Sequence, residues 1–285
     1  MSMKERIFSL FSKKREIRTT WKVEKDGRHG FLAGAAHFFP YRLTTSLRHY
    51  IRQVRVVCFE GPLDESSMGQ VIRQGTEKGG NTAIYEALDP QTIEKIKDLT
   101  GDLFRPSDPF PLIFPFPSKP LDPLADYFKS LRPWMAFFQI WSNFLKQKGW
   151  KYSVDLEALK IARHLRREVV FLETIDEQIA GLEGIPVDRI VRFFQKIDQW
   201  EKWAEAHSRL YLRGDLEAMM AMSQEFPSRC PSIVEYRDPV LFDRMKGYFE
   251  KGAVMAFVGT THIPGIQKRF QAEGYRVTQV SRKEE

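Results

Sequence analysis

Two segments far apart in the chain constrain its architecture more than any other feature. Residues 31–40, FLAGAAHFFP, and residues 256–265, AFVGTTHIPG, each run an apolar stretch into Gly-x-x-His and place a proline two or three residues further on. A short apolar run of this kind reads as a buried strand. Gly34 and Gly259 near the strand ends permit a sharp turn, or the close approach of a ligand where a side chain would intrude. A histidine three residues later projects from the loop at the sheet's carboxyl edge, where open α/β sheets build their binding crevices. If both segments join one sheet, His37 and His262 converge.

The flanking sequence supports that reading. TTWKVEKDGRHGFLAG reads as two strands around an Asp26-Gly27 turn, followed by a helix over residues 44–53 and a strand over 54–60. Near the other end, AVMAFVG is a strand, Pro264 opens a helix that Gly274 closes, and residues 275–280 form the next strand. The expectation is an α/β fold: a central mixed sheet from two related β-loop-α-β halves, with a largely helical insertion between them. Residues 1–285 form one domain, and 62–150 are its helical and proline-rich insertion.

Within the middle, residues 63–104 read as short helices. Residues 105–123 hold seven of the 16 prolines, so they are expected to form a stiff loop packed over the body beside a cleft. WMAFFQIWSNFL is too short for the ~20 residues that cross a bilayer and carries Gln, Ser and Asn, so it reads as a buried or groove-lining helix. A helix follows with Asp155 at its mouth, then a compact strand, EVVFLE. TIDE has capping-box spacing directly after Glu173. Residues 187–212 show helical apolar spacing and are expected to form one long amphipathic helix ending at Gly214.

Composition narrows the function. With 42% hydrophobic and 13% aromatic residues the chain can bury a large core. The net charge of +7 is scattered among acids, without basic blocks or a nucleic-acid-binding signature, so no nucleic acid is expected as partner. Two cysteines form no disulfide framework or metal finger, and no signal peptide is recognisable in the basic start; the expected location is cytoplasmic. No Gly-rich nucleotide loop or nucleophile elbow occurs.

Two acids complete the constellation. Glu60 ends VVCFE and Glu173 ends VVFLE, and a charge terminating a buried strand must reach solvent, pair with a cation or bind a ligand. Four strand ends carrying His, Glu, Glu and His make a candidate site for a divalent metal. Asp155, taken alone, reads as a helix N-cap. Arg237 either orients an acid in the cleft, binds a substrate carboxylate, or lies on the surface before a helix opened by Asp238-Pro239.

The series FLAGAAH, VVCFEGP, YSVDLEALKIA, VVFLETIDEQ, LYLRGD, EYRDPVLFDRM, VMAFVGTTHIPG and EGYRVTQV resembles the TraB/PrgY/GumN family, itself similar to the TIKI metalloproteases and more remotely to erythromycin esterase and ChaN-like proteins. The stretch before Asp155 departs from the pattern, with YSVD where relatives often carry a glycine. The resemblance implies that His37 and His262 belong to a metal or catalytic centre, that Glu60 is its essential carboxylate, and that Glu173, Gln178 and Arg237 support it. The resulting expectation is a metal-dependent, peptidase-like hydrolase. His37, His262 and Glu60 are its ligands to Mn, Co or Zn, Glu60, Glu173 and Arg237 its catalytic groups, and Gly34, Asp155, Gln178 and Gly259 its substrate-binding residues. The alternative is a non-catalytic protein that holds a peptide signal in the same cleft, and a third option is a haem- or iron-binding module.

Overall fold

The computed structural model describes residues 15–76, 82–101 and 123–280. The proline-rich loop expected over 105–123 lies outside the described residues apart from Pro123, where a helix begins. Strands β1 (Thr20–Lys25) and β2 (Arg28–Ala35) form an antiparallel hairpin whose turn residues, Asp26 and Gly27, have φ of 51° and 74°. A two-residue type I′ turn needs both angles positive, which is why Asp-Gly marks it. Helix α1 (Thr44–Arg52) then leads to β3 (Val56–Phe59).

A helical run follows: α2 (Glu65–Thr76), α3 (Ala83–Ala87), α4 (Pro90–Thr100), α5 (Pro123–Ser130) and α6 (Pro133–Gln147). Helix α7 (Val154–His164) leads into β4 (Glu168–Phe171). Helices α8 (Ile175–Glu183), α9 (Val187–Gln195), α10 (Trp200–Arg213), α11 (Leu216–Met222) and α12 (Arg237–Lys251) precede β5 (Val254–Gly259). A 3-10 turn (Thr260–His262), α13 (Ile263–Ala272) and β6 (Arg276–Gln279) complete the described chain.

The six-stranded sheet has the order β4-β3-β5-β2-β1-β6. Strands β4, β3, β5 and β2 run parallel, while β1 is antiparallel to β2 and β6. Four neighbouring strands therefore deliver their carboxyl ends to one edge. The two β-loop-α-β units, β2–α1–β3 and β5–α13–β6, interleave, with β5 inserted between β3 and β2.

Alternation along the strands divides the core between the two sheet faces. Phe31, Ala33, Val57, Phe59, Met255 and Phe257 face the larger cluster, built with the aromatic-rich helices. Leu32, Val56, Cys58, Val254, Ala256 and Val258 face a smaller one, closed by Leu241, Met245 and Phe249 of α12 and Ile266 and Phe270 of α13. Within the first cluster α6 buries Trp134, Met135, Phe137, Ile140 and Phe144, so it is a core helix and lines no groove with those side chains. Among the described residues no helix is long and apolar enough to cross a membrane.

Local signals explain most helix starts. Thr174 and Glu177 form the reciprocal capping box at α8, and Asp89 caps α4, whose first residue is Pro90. Thr174→Ala is expected to cost about 1 kcal/mol of stability, read from a shifted denaturant midpoint at unchanged slope.

Three expectations need correction. Residues 187–212 are two helices joined by a 3-10 turn (Ile197–Gln199), because the break lets Trp200 turn inward. Its ring is fully buried, stacks on Phe193 at 4.8 Å, and its Nε1–H donates to the Phe193 carbonyl at 3.1 Å. Strand β4 is a sheet edge with one exposed and three half-buried residues, so its apolar composition does not signal full burial. The N-cap of α7 is Ser153, whose side chain accepts from the Leu156 amide, and Asp155 is thereby released for another partner.

Candidate functional site

Across the four parallel strands, the register sets Ala35 beside Gly259, and Phe59 between Phe257 and Phe171. The residues that follow these tips are His37 after β2, His262 after β5, Glu60 after β3 and Glu173 after β4. The four expected strand-end groups thus come from adjacent strands at one sheet edge.

Arg237, the first residue of α12, joins the two glutamates. Its Nε donates to Glu173 Oε1 at 2.9 Å, and its Nη2 donates to Glu173 Oε2 at 2.6 Å and to Glu60 Oε2 at 3.0 Å. The side chains of Arg237 and Glu60 are each 12% exposed and that of Glu173 only 2%, so this is a buried, charge-assisted clamp. Glu60 Oε1 accepts from the Gly259 amide. A Cβ at Gly259 would stand 3.2 Å from that oxygen, which explains the glycine by the close approach of the carboxylate. Burial pushes the Glu60 carboxyl up, but His262, Arg237, His37 and the Gly259 amide together bring it from 4.5 down to about 2. Burial pulls the Arg237 guanidinium down, but its hydrogen bonds and charge pairing with Glu173 and Glu60 outweigh it and leave the group raised.

Each histidine is oriented by an acid from the first turn of a helix. His262 Nδ1 lies 2.7 Å from Asp238 Oδ1, in a buried pair, and its Nε2 points toward Glu60 Oε1 at 3.8 Å. Gly265 makes room for this arrangement, since an added Cβ there would overlap Asp238 Oδ2. His37 Nδ1 lies 3.0 Å from Asp155 Oδ2; the imidazole is 65% exposed and the acid 8%. The loop carrying His37 is tied to α7 and the segment before it. The Val154 amide donates to the Ala36 carbonyl, Phe39 and Tyr152 exchange backbone bonds, and Glu157 accepts from the Leu43 amide and the Thr44 hydroxyl.

The charge of the buried Asp155 raises the largely exposed His37 from 6.5 to about 9, with their hydrogen bond and Glu60 adding and Arg237 subtracting. A raised histidine contributes stability that is fully present below pH 6.5 and is lost as pH rises through about 9. The unfolding midpoint is therefore expected to fall between those pH values in the wild type. His37→Gln removes that slope; an unchanged slope in the variant would assign the titration elsewhere.

Gly34 and Gln178, expected to bind substrate, lie beside the same strand tips. The Gly34 carbonyl accepts from the Thr19 hydroxyl at 3.0 Å and the Tyr211 hydroxyl at 2.7 Å, which fixes the tip of β2. Gln178 packs over Gly61, where an added Cβ would meet its amide carbon at 2.5 Å. Asp238 was legible only as a helix opener. Arg229 is a further support, donating to the Thr261 hydroxyl at 2.9 Å and holding the loop that bears His262.

The donor chemistry suits a borderline divalent ion: both imidazoles set Nδ1 on a carboxylate and keep Nε2 for ligation, and Glu60 is held ionised beside them. A ready-made cage is a stricter requirement, and among the described residues no group of three or more His, Cys, Asp or Glu meets it.

The model of the TraB/PrgY/gumN family matches residues 19–279 of the 285. No curated protein matches the chain.

Proposed function

This chain belongs to the TraB/PrgY/gumN family, and we propose that it is a peptidase-like hydrolase of amide or ester bonds whose active site is the cleft at the ends of β2, β5, β3 and β4. One observation carries the reading. In the tautomer that donates Nδ1–H to Asp238, the His262 ring turns its Nε2 toward the ionised Glu60 carboxylate across 3.8 Å. Two acceptors facing each other at that separation are satisfied by a water that donates to both. His262 then serves as general base toward that water, Asp238 stabilises the imidazolium that forms, and Glu60 orients the attacking oxygen. Held near pKa 9, His37 is charged at neutral pH and supplies the proton or hydrogen bond needed by the developing oxyanion or leaving group. Arg237 is a positioning residue, since its Nε and Nη2 are taken by the two glutamates.

The expected metal is the alternative use of the same groups: His262, Glu60 and His37 without its proton are the residues that would ligate it, and the two imidazoles would then not act as acid and base. When bound, a divalent ion supplies Lewis acidity toward the scissile carbonyl and acidifies water. Cys58 and Cys230, both buried free thiols, favour a reducing compartment, and the cytoplasm is the location we assign.

A hydrolysis screen over peptide and ester substrates tests the reading, run with EDTA and with Mn, Co or Zn added. Wild type is expected to turn over a substrate that His37→Ala and Glu60→Ala do not. Equal rates in all three would eliminate the proposal, and wild-type activity insensitive to EDTA would remove the metal from it.

A further inference from the structure

Next to the loop that bears His37 lies an open groove of about 500 Å³ that the hydrolytic chemistry does not use. Pro40 and Tyr41, on the loop that bears His37, form one wall. Trp150, two residues before the Tyr152 that pairs with Phe39, forms another, and Leu212 completes the apolar floor. The remaining lining is strongly cationic. Lys148 is occupied by Glu201 at 2.5 Å, but Arg209 and Arg213 make no ion pair among the described residues, not even with Glu205, the single acid of the lining. Both are exposed and stand one turn apart on α10, where like charges repel. The Arg15 guanidinium, 3.6 Å above the Tyr41 ring, adds positive charge at the same wall.

The spacing identifies the matching anion. Residues i and i+4 of a helix are displaced by about 6 Å along its axis, and alternate side chains of an extended chain by about 6.6 Å. Two carboxylates at alternate positions of an extended peptide match that displacement and meet one guanidinium each, while the intervening residue faces the opposite wall at Tyr41. We propose that this groove is a substrate subsite for an acidic, extended peptide segment held by Arg209 and Arg213, with the scissile bond lying toward His37. The assignment of the subsite to a substrate rests on the hydrolase reading of the neighbouring cleft.

Binding of labelled tetra-glutamate and tetra-glutamine peptides to the full chain, followed by fluorescence anisotropy, tests the groove directly. The acidic peptide is expected to bind and to weaken as salt is raised. Arg209→Ala with Arg213→Ala is expected to lower its affinity by about tenfold or more, and the unfolding midpoint confirms that these exposed substitutions leave the fold intact. Equal binding of the two peptides, or equal binding by wild type and the double variant, would overturn the proposal. Cleavage separates the two readings. A double variant that cleaves acidic and neutral substrates as the wild type does removes the subsite and leaves the hydrolase. Arginine-dependent binding without cleavage of any peptide keeps the acidic-peptide groove and removes the hydrolase.

Discussion

Arg237→Ala is expected to destabilise the protein by about 3–5 kcal/mol at neutral pH, the cost of stranding buried charges when one partner of an ion pair is removed. Glu173, with 2% of its side chain exposed, receives three of the arginine's hydrogen bonds, and among the described residues no other side chain donates to it. Glu60 would keep the Gly259 amide but lose the guanidinium that helps hold it near pKa 2. The pH dependence carries the diagnosis. A depressed carboxylate contributes stability above its unfolded value of 4.5, and the contribution is lost as pH falls toward about 2. The penalty of the substitution is therefore largest at pH 7 and shrinks at low pH, where the stranded Glu60 carboxylate takes up its proton. Urea unfolding at pH 7 and pH 4 measures both values. Arg237→Lys should recover little, because an ammonium cannot reproduce the fork that spans two carboxylates. A loss under about 1 kcal/mol at pH 7 would mean that water already solvates the acids.

That clamp also marks where the sequence was legible and where it was not. Strand tips were readable because a buried strand ending in Glu or in Gly-x-x-His leaves few places for the polar group to go, and all four tips emerged on neighbouring parallel strands. The Asp-Gly hairpin, the capping box before α8 and the glycine after α10 were readable because each rests on chemistry within a few residues. Pairings over long separations were not. Asp238 meets His262 across 24 residues and Asp155 meets His37 across 118, and the local cap signal at Asp155 pointed to the wrong acceptor while Ser153 stood two residues earlier. The break before Trp200 escaped for a related reason. Helical periodicity continues through it, and only the tertiary demand for a buried indole against Phe193 interrupts the backbone. Secondary-structure signals thus placed the elements, while the division of labour among the acids depended on which helix mouth each tip would meet.

Glu60→Gln should lower kcat by about 10²–10⁴-fold while costing far less stability than the arginine variant. The amide matches the carboxylate in size, and Arg237 retains its full set of bonds to Glu173. What changes is charge and direction. The Glu60 carboxylate accepts from the Gly259 amide on one oxygen and from Arg237 on the other. A glutamine can satisfy only one of these donors and must set its NH₂ against the other. In whichever orientation it takes, the oxygen opposite His262 loses its negative charge or is replaced by a donor, so water is no longer drawn into line between two acceptors. Asp238→Asn supplies the complementary comparison, because it leaves Glu60 untouched and disturbs only the tautomer that turns the His262 lone pair inward. If water is activated between the two groups, each single variant loses most of the rate and the double variant loses little more, the non-additivity of residues that act as a unit. Multiplicative losses would separate the two groups into independent roles and dissolve the shared water on which the mechanism turns.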